Sequence, residues 1–431
     1  MRGIRYDIAH PLLFCAIKTM ATNRLETPKG LRLHFGLFGK RNAGKSSLIN
    51  ALANQNISIV SNVAGTTTDP VEKAFELSPI GPVVFMDTAG IDDVGDLGLA
   101  RVQKSLAVLD WMDVAIIVCE SGTWSEHEES ILTRTKTNGT PTVIVFNKTD
   151  LCAPDESLAA ALRAKGSRVV FASAQNRIGI DDVKNALIET VLEQTEPDRP
   201  LMGNLVKPGD TVLLVTPIDT GAPKGRLILP QVQAIRELLD GGAKCIVVKE
   251  DRITETLAEL KNPPQLVVTD SQVVQRVVKE VPEPIPVTTF SIQMAYSKSD
   301  LVAMARGAGA LTKLKPGDKV LMAETCSHHP LQDDIGRVKI PNWLKKKFGE
   351  LEIDMAVGKD FPEDLTPYKV IINCGGCIVT RRHMLARLRI AQAQGVAMTN
   401  YGVAISYLQG VLDRALACHP EAQKAFEEGC R

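Results

Sequence analysis

From residue 31 to about residue 193, short apolar runs alternate with amphipathic stretches. Leu33–Phe38, Val83–Met86, Val114–Val118, Thr142–Phe146 and Val169–Ala172 are apolar at successive positions rather than at every second one. That pattern predicts strands covered on both faces, as in a parallel sheet. Between them, Lys45–Leu52 and Glu128–Thr137 are helix-like. The alternation predicts a doubly wound α/β domain.

Residues 196–208 break the pattern. They are polar, contain Pro197, Pro200 and Pro208, and read as a linker. A second α/β run follows, with strands at Thr211–Val215, Cys245–Val248 and Gln265–Val268 and helices at Pro230–Leu239, Ile253–Leu260 and Gln272–Lys279. Pro282, Pro284 and Pro286 close it. A third run begins near Phe290, with a helix at Asp300–Leu311, strands at Lys319–Met322 and Lys369–Ile372, a helix at Arg381–Gln394, a strand at Val396–Thr399 and a helix at Val403–Ala415. The expected units are residues 29–195, 196–289 and 290–431, the last two as smaller parallel-sheet α/β domains. Lys207-Pro-Gly-Asp and Lys315-Pro-Gly-Asp each precede a strand. Duplication of a unit is one reading, and the simpler one is that Pro-Gly-Asp is good turn chemistry.

Residues 1–28 read as a disordered extension. Ile8–Met20 is mildly apolar but broken by His10, Pro11 and Lys18, unlike a secretory leader, and Met20 is an alternative start.

Composition narrows the class. At ~150 residues per domain, 431 residues fit about three domains. A hydrophobic share of 44% is enough for packed cores. The 50 basic and 50 acidic residues balance, which argues against nucleic acid as a partner, since that needs a clustered basic face. Nine cysteines, an odd number, do not read as a disulfide framework, so a reducing, cytoplasmic compartment is expected. No run of ~18 apolar residues is present to span a membrane.

Gly39-Lys-Arg-Asn-Ala-Gly44-Lys45-Ser46 fits a P-loop between a strand and a helix. The glycines let backbone N–H groups from Gly39 through Asn42, Ala43, Gly44, Lys45, Ser46 and Ser47 close around phosphate oxygens, and the helix N-terminus adds a positive dipole end. Lys45 neutralises the β- and γ-phosphates, and the Ser46 hydroxyl ligates Mg2+. Asp87-Thr-Ala-Gly90 follows a strand, placing Asp87 behind the magnesium and the Gly90 N–H at the γ-phosphate. Gly65-Thr-Thr-Thr-Asp lies where a first switch loop belongs, with Thr67 as its magnesium ligand. Asn147-Lys148-Thr-Asp150 follows another strand. The Asp150 carboxylate accepts from guanine N1–H and its 2-amino group; adenine has neither donor and would strand a buried carboxylate. Ser173-Ala174 then reaches guanine O6. These motifs, in order and each after a strand or between two such motifs, predict a GTPase.

Ile91 stands where a water-orienting glutamine would follow Gly90, so slow hydrolysis is expected. The P-loop run with Gly-Thr-Thr-Thr-Asp resembles the Era/TrmE branch of GTPases. In potassium-activated members, the residue matching Asn42 ligates K+ in place of an arginine finger; the alternative is that Asn42 only braces the loop.

Cys326-Ser-His328 follows the strand at Lys319–Met322, and Cys374-Gly-Gly-Cys377 follows the strand at Lys369–Ile372. Both loops leave the C-terminal ends of strands, where ligand sites of α/β sheets collect. A C-x-x-C on a Gly-Gly turn lets two thiolates converge, and one Cys from another loop closes a tripod. On residues alone a redox dithiol, a Cys3His zinc site and a cubane cluster all remain open. Cys119 and Cys245 fall in strands and read as core; Cys418 and Cys430 read as incidental residues of a charged tail.

A GTPase of this branch, a small α/β domain, and then C-x-H and C-x-x-C resemble the FeFe-hydrogenase maturation GTPase family, HydF, from about Met20 onward. Thr399-Asn-Tyr-Gly-Val-Ala-Ile-Ser-Tyr-Leu is similar to that family too. The resemblance implies that Cys326, Cys374 and Cys377 bind a 4Fe–4S cluster whose fourth iron has a labile ligand. The family often has His before the C-x-x-C, and here Asn373 stands there. His328, His329, a carboxylate, water or an external ligand is then the candidate for the fourth position. The resemblance further implies a scaffold that takes a diiron precursor from radical-SAM maturases and passes it to apo FeFe-hydrogenase, with the middle unit as a homodimerisation domain. The middle unit shows no catalytic constellation; Asp219 and Lys249 follow strands and read as solvated. The rivals are an Era/TrmE-like GTPase of RNA biology and a zinc-stabilised interaction GTPase.

Overall fold

The structure is a computed structural model that describes residues 32–53, 61–63, 71–90, 92, 96–194, 199–218, 227–325, 334–358 and 361–431. Residues 1–28, Thr67, Ile91, Asp219, Cys326, His328 and His329 lie outside them. The chain divides into two compact units, residues 1–195 and 196–431, with the boundary where the expected proline-bearing linker begins.

The first unit is built on β1 (Leu33–Phe38), β2 (Ser61–Val63), β3 (Val71–Leu77), β4 (Gly81–Asp87), β5 (Val114–Glu120), β6 (Thr142–Asn147) and β7 (Arg168–Phe171). They form one sheet in the order β2-β3-β4-β1-β5-β6-β7. The five expected strands are the parallel ones, β4, β1, β5, β6 and β7. The hairpin of β2 and β3 is antiparallel and was not expected, so the sheet is mixed. The helices are α1 (Lys45–Ala53), α2 (Asp96–Leu109), α3 (Glu126–Thr137), α4 (Glu156–Ala164) and α5 (Ile180–Gln194). Apolar side chains cover both faces of the central strands, giving two cores, one around Phe35, Leu48 and Leu187 and one around Phe38, Ile117 and Leu132. Phe35 and Phe85 stack at 5.1 Å in the first. Losing such a ring to Ala costs about 3–5 kcal/mol. α3 starts at a capping box, in which Glu128 accepts from the Ser125 N–H at 2.9 Å while the Ser125 hydroxyl accepts from the His127 N–H.

The second unit holds two parallel four-stranded sheets. β8 (Thr211–Val215), β9 (Lys244–Val248), β10 (Leu266–Thr269) and β11 (Val287–Thr289) run in the order β11-β10-β8-β9, with α6 (Leu229–Asp240), α7 (Ile253–Glu259) and α8 (Val274–Glu280) between them. β12 (Lys319–Glu324), β13 (Glu352–Val357), β14 (Val370–Asn373) and β15 (Ala397–Asn400) run in the order β13-β12-β14-β15. Helices α9 (Phe290–Lys298), α10 (Leu301–Ala308), α11 (Ile340–Phe348), α12 (Arg381–Ala393), α13 (Tyr401–Leu408), α14 (Leu412–Leu416) and α15 (Pro420–Cys430) complete it. α9 belongs to both sheets: Phe290 and Met294 enter the core of the first, Ile292 and Ala295 that of the second.

Several expectations need correction. The helix expected at Val403–Ala415 is two, α13 and α14, because Gly410 turns the chain with φ +71. The tail bearing Cys418 and Cys430 is packed structure: Ala422 and Ala425 of α15 are buried, and Gly429 lies so close to the Arg306 carbonyl that a Cβ would sit 2.1 Å from it. Cys119 is core at 2% exposure, but Cys245 lies on the edge strand β9 and is only half-buried. The two Pro-Gly-Asp turns share one construction. Asp210 and Asp318 accept from the N–H of Lys207 and Lys315, each at 2.8 Å, and Gly209 and Gly317 take positive φ. Turn chemistry accounts for the repeat.

Candidate functional site

In the first unit the loop between β1 and α1 wraps an open cradle. Gly39, Asn42 and Gly44 take positive φ, which turns successive N–H groups inward. A Cβ on Gly39 would sit 2.0 Å from the Val118 carbonyl of β5, so only glycine lets the loop cross the sheet edge there. The Lys45 ammonium donates to the carbonyls of Gly39 and Lys40, both at 2.9 Å, and is 8% exposed. The Ser46 hydroxyl donates to the Asp87 carboxylate, joining the two residues expected around magnesium. The Asp92 carboxylate accepts from the Arg41 N–H at 2.6 Å, beside Gly90.

The base end is equally joined. Asn147 is 1% exposed; its Nδ2 donates to the Ala43 carbonyl at 3.1 Å and its Oδ1 accepts from the Ala174 N–H at 3.0 Å. It therefore ties the phosphate loop to the loop expected at guanine O6. The Ser173 hydroxyl donates to the exposed Asp150 carboxylate, and Lys148, at φ 62, pairs with Glu120. Of the residues expected at the nucleotide, the described ones, Gly39, Asn42, Ala43, Gly44, Lys45, Ser46, Ser47, Asp87, Gly90, Asn147, Lys148, Asp150, Ser173 and Ala174, lie in the strand ends and following loops of one sheet.

The cysteine loop lies at the switch point of the last sheet. The chain leaves β12 for β13 on one side and then crosses to β14 on the other, which opens a crevice at the C-terminal ends of β12 and β14. There the Cys374 N–H donates to the Ala323 carbonyl at 2.8 Å. Cys374 Sγ accepts from the Thr325 N–H at 3.2 Å and lies 3.1 Å from the Thr325 hydroxyl. Gly376, at φ +65, packs so tightly that a Cβ would meet Met384 Sδ at 2.4 Å.

Two buried cations grip this loop. The Lys298 ammonium, at the end of α9, donates to the carbonyls of Gly376, Cys377 and Val379 at 3.4, 3.2 and 2.8 Å. In return Arg381 holds the carbonyls of Ser297 and Ser299 at 3.0 and 2.7 Å. Arg387 Nη1 donates to Asn373 Oδ1 at 3.0 Å, and Asn373 Nδ2 donates to the Cys374 carbonyl at 2.8 Å. Asn373 is fully buried and both ends of its amide are engaged, so it is turned away from ligation. Burial raises the Cys377 thiol above its usual range, with Cys374 adding and Lys298 opposing. Burial pulls the Arg387 guanidinium down, with Cys374 opposing.

Two thiols, a backbone N–H donor and a hydroxyl at one of the sulfurs, and cations behind the loop fit an anionic thiolate-bound metal group. Among the described residues no cluster of three or more His, Cys, Asp or Glu forms a complete metal site. Thr325, Lys298 and Arg387 were not read from the sequence. Lys298 is 79 residues from Cys377 and sits on another element, so no local pattern signals it. Among the described residues, no helix is long and apolar enough to cross a membrane.

Comparison with known proteins adds the family. Three family models match: 50S ribosome-binding GTPase over residues 34–148, Hydrogen maturase F dimerization domain over 201–299 and Hydrogen maturase F tetramerization domain over 302–418. The tRNA modification GTPase MnmE of Prochlorococcus marinus (strain NATL1A) is 38% identical over 163 residues, 36% of this chain and 34% of the relative. GTPase Der of Kosmotoga olearia is 31% identical over 189 residues, 40% of this chain and 42% of the relative. The chain thus spans well under half the length of these curated relatives. Era from Aquifex aeolicus, bound to GDP and aluminium fluoride, is similar at 21% identity and a TM-score of 0.32, covering 50% of this chain and 92% of that one. With a GTPase domain followed by both hydrogen maturase F domains, the chain belongs to the hydrogen maturase F (HydF) family of GTPases.

Proposed function

We propose that this chain is a GTP-hydrolysing scaffold that carries a 4Fe–4S cluster on Cys326, Cys374 and Cys377, receives a diiron precursor from radical-SAM maturases, and delivers it to apo FeFe-hydrogenase. The carrying observation is the contact between Thr325 and Cys374 Sγ at the crevice of the last sheet. Cys326 is the residue bonded to Thr325, and consecutive Cα atoms are about 3.8 Å apart. That Thr325 immediately precedes Cys326 in the chain supports reading Cys326 as the third thiol. When bound, such a cluster supplies an iron with no cysteine of its own, open to an exchangeable ligand. His328 is our candidate for that position, Asn373 being engaged elsewhere.

In the nucleotide cradle, Lys45 neutralises phosphate oxygens, Ser46 and Thr67 hold Mg2+, Asp87 orients the Ser46 hydroxyl, and the Gly90 N–H meets the γ-phosphate. Asp150, steadied by Ser173, selects guanine. Asn42 holds K+, and hydrolysis is slow and potassium-stimulated. Bound GTP biases the switch loops and so the docking of partners, to the extent that it prefers one loop state. The middle domain forms a homodimer. Val232 and Leu239 of α6 and Val247 of the edge strand β9 leave apolar surface exposed there, in support. The working compartment is the cytoplasm.

The test is anaerobic reconstitution with iron and sulfide of the wild type and of Cys326→Ser, Cys374→Ser and Cys377→Ser, followed by electron paramagnetic resonance. The wild type turns brown, absorbing near ~400 nm, and each variant loses that signal. A colourless protein holding stoichiometric zinc overturns the cluster. A loaded protein that fails to activate apo-hydrogenase in the presence of the maturases overturns the scaffold role.

A further inference from the structure

We propose that Arg387 is the fixed counter-charge of the metal site, a positioning cation whose opposite charge is the anionic group held on Cys374. This rests on the reading of Cys374 and Cys377 as cluster ligands.

Arg387 lies on α12, 3% exposed. Its Nη1 donates to Asn373 Oδ1 at 3.0 Å and its Nη2 to the Gly358 carbonyl at 2.6 Å. Its guanidinium carbon lies 4.8 Å from the centre of the Phe361 ring. Its Nε is buried with no acceptor. Every one of these neighbours is neutral, and among the described residues no carboxylate pairs with it. Other arginines of this chain are treated differently: Arg337 meets Glu324 at 3.1 Å, and Arg134 meets Asp110 at 2.6 Å.

An arginine stays charged in proteins, and a buried charge without an opposite one is strongly unfavourable. A fold that keeps such a group ordinarily supplies the missing anion. Along this bonding Arg387 reaches the residue that precedes Cys374, the thiol read as a ligand. Asn373 forms the bridge, its oxygen on the guanidinium and its nitrogen on the Cys374 carbonyl. The residue that departs from the family's usual His thus has a task of its own: it relays the orientation of Arg387 to the backbone of the ligand loop.

A thiolate-bound cluster is anionic and grows more so on reduction. A fixed cation beside it stabilises the reduced form more than the oxidised one and raises the potential. Loading of the site with an anionic group therefore supplies an opposite charge that no carboxylate among the described residues provides.

The test compares the full-length wild type, Arg387→Met and Arg387→Lys, reconstituted anaerobically with iron and sulfide. The readouts are the cluster midpoint potential, from redox titration followed by electron paramagnetic resonance, and thermal unfolding with and without the cluster. The Met chain is expected to hold a cluster of more negative potential, to gain less stability from loading, and to unfold without metal no earlier than the wild type. The Lys chain keeps the wild-type potential. A Met chain with wild-type potential and a wild-type gain on loading overturns the proposal. Should the Met chain not fold, Arg387→Gln takes its place: a more negative potential supports the role of the charge, and a wild-type potential with a wild-type gain on loading overturns it. A wild type that takes up no cluster sinks the cluster reading itself, whereas a loaded wild type beside an indifferent Met chain sinks only the role of Arg387.

Discussion

The backbone N–H of Thr325 donates to Cys374 Sγ from 3.2 Å, and the Thr325 hydroxyl stands 3.1 Å from the same sulfur. Donors to a cluster sulfur stabilise the reduced state. Thr325→Val keeps the side-chain shape and removes the hydroxyl. The loaded variant is expected to show a modestly more negative potential with unchanged iron content. A loss of iron instead would mark the hydroxyl as a structural prop of the loop.

Lys45 is buried in the phosphate loop, far in sequence from the cysteines and in the other compact unit. Lys45→Ala is expected to lower GTP turnover by at least ~100-fold while leaving the cluster spectrum intact. A folded variant without its cluster would show that the two units are not independent.

Asn42 holds φ 64 in the phosphate loop and is exposed. If it ligates potassium, Asn42→Ala equalises the rates in potassium and sodium buffers and lowers the potassium rate by ~10-fold or more. Persistent potassium stimulation in the variant would leave Asn42 as a brace alone.

His419 gives a pH signature. Gln293 Nε2 lies 2.9 Å from His419 Nε2 and also donates to the Thr288 hydroxyl at 3.1 Å, which suits a neutral imidazole accepting at Nε2. Burial lowers the His419 pKa from 6.5 to about 4. The folded value is below the unfolded one, so the stabilising contribution is whole above pH ~6.5 and fades as pH falls toward ~4. The shift corresponds to at most about 3 kcal/mol, less solvent screening. His419→Gln is expected to flatten the loss of stability across that window in denaturant titrations. An unchanged slope would place the acid sensitivity elsewhere.

Strands buried on both faces were legible nearly to the residue: β1 and β8 match their expected bounds, and β14 and β15 are shifted by one. Burial on both sides leaves a continuous apolar run that needs no partner to be seen. β13, Glu-Ile-Asp-Met-Ala-Val, was missed because an edge strand keeps polar residues, and β3, Val-Glu-Lys-Ala-Phe-Glu-Leu, because Glu72, Lys73 and Glu76 interrupt its apolar run. Gly410 shows the limit at a helix: its neighbours keep helical spacing while its φ of +71 ends the element.

Sequence alone determined the GTPase domain, because the strings expected to cradle phosphate, hold magnesium and read guanine are each local and each placed just after a strand. It also named the thiols. Only the tertiary structure decided what surrounds them. Lys298 holds the Cys374-Gly-Gly-Cys377 turn from one helix, and Arg387 holds Asn373, just before it, from another. Charges that act through a few ångströms of low-dielectric interior, from positions far apart along the chain, leave no periodicity or spacing by which they could have been read.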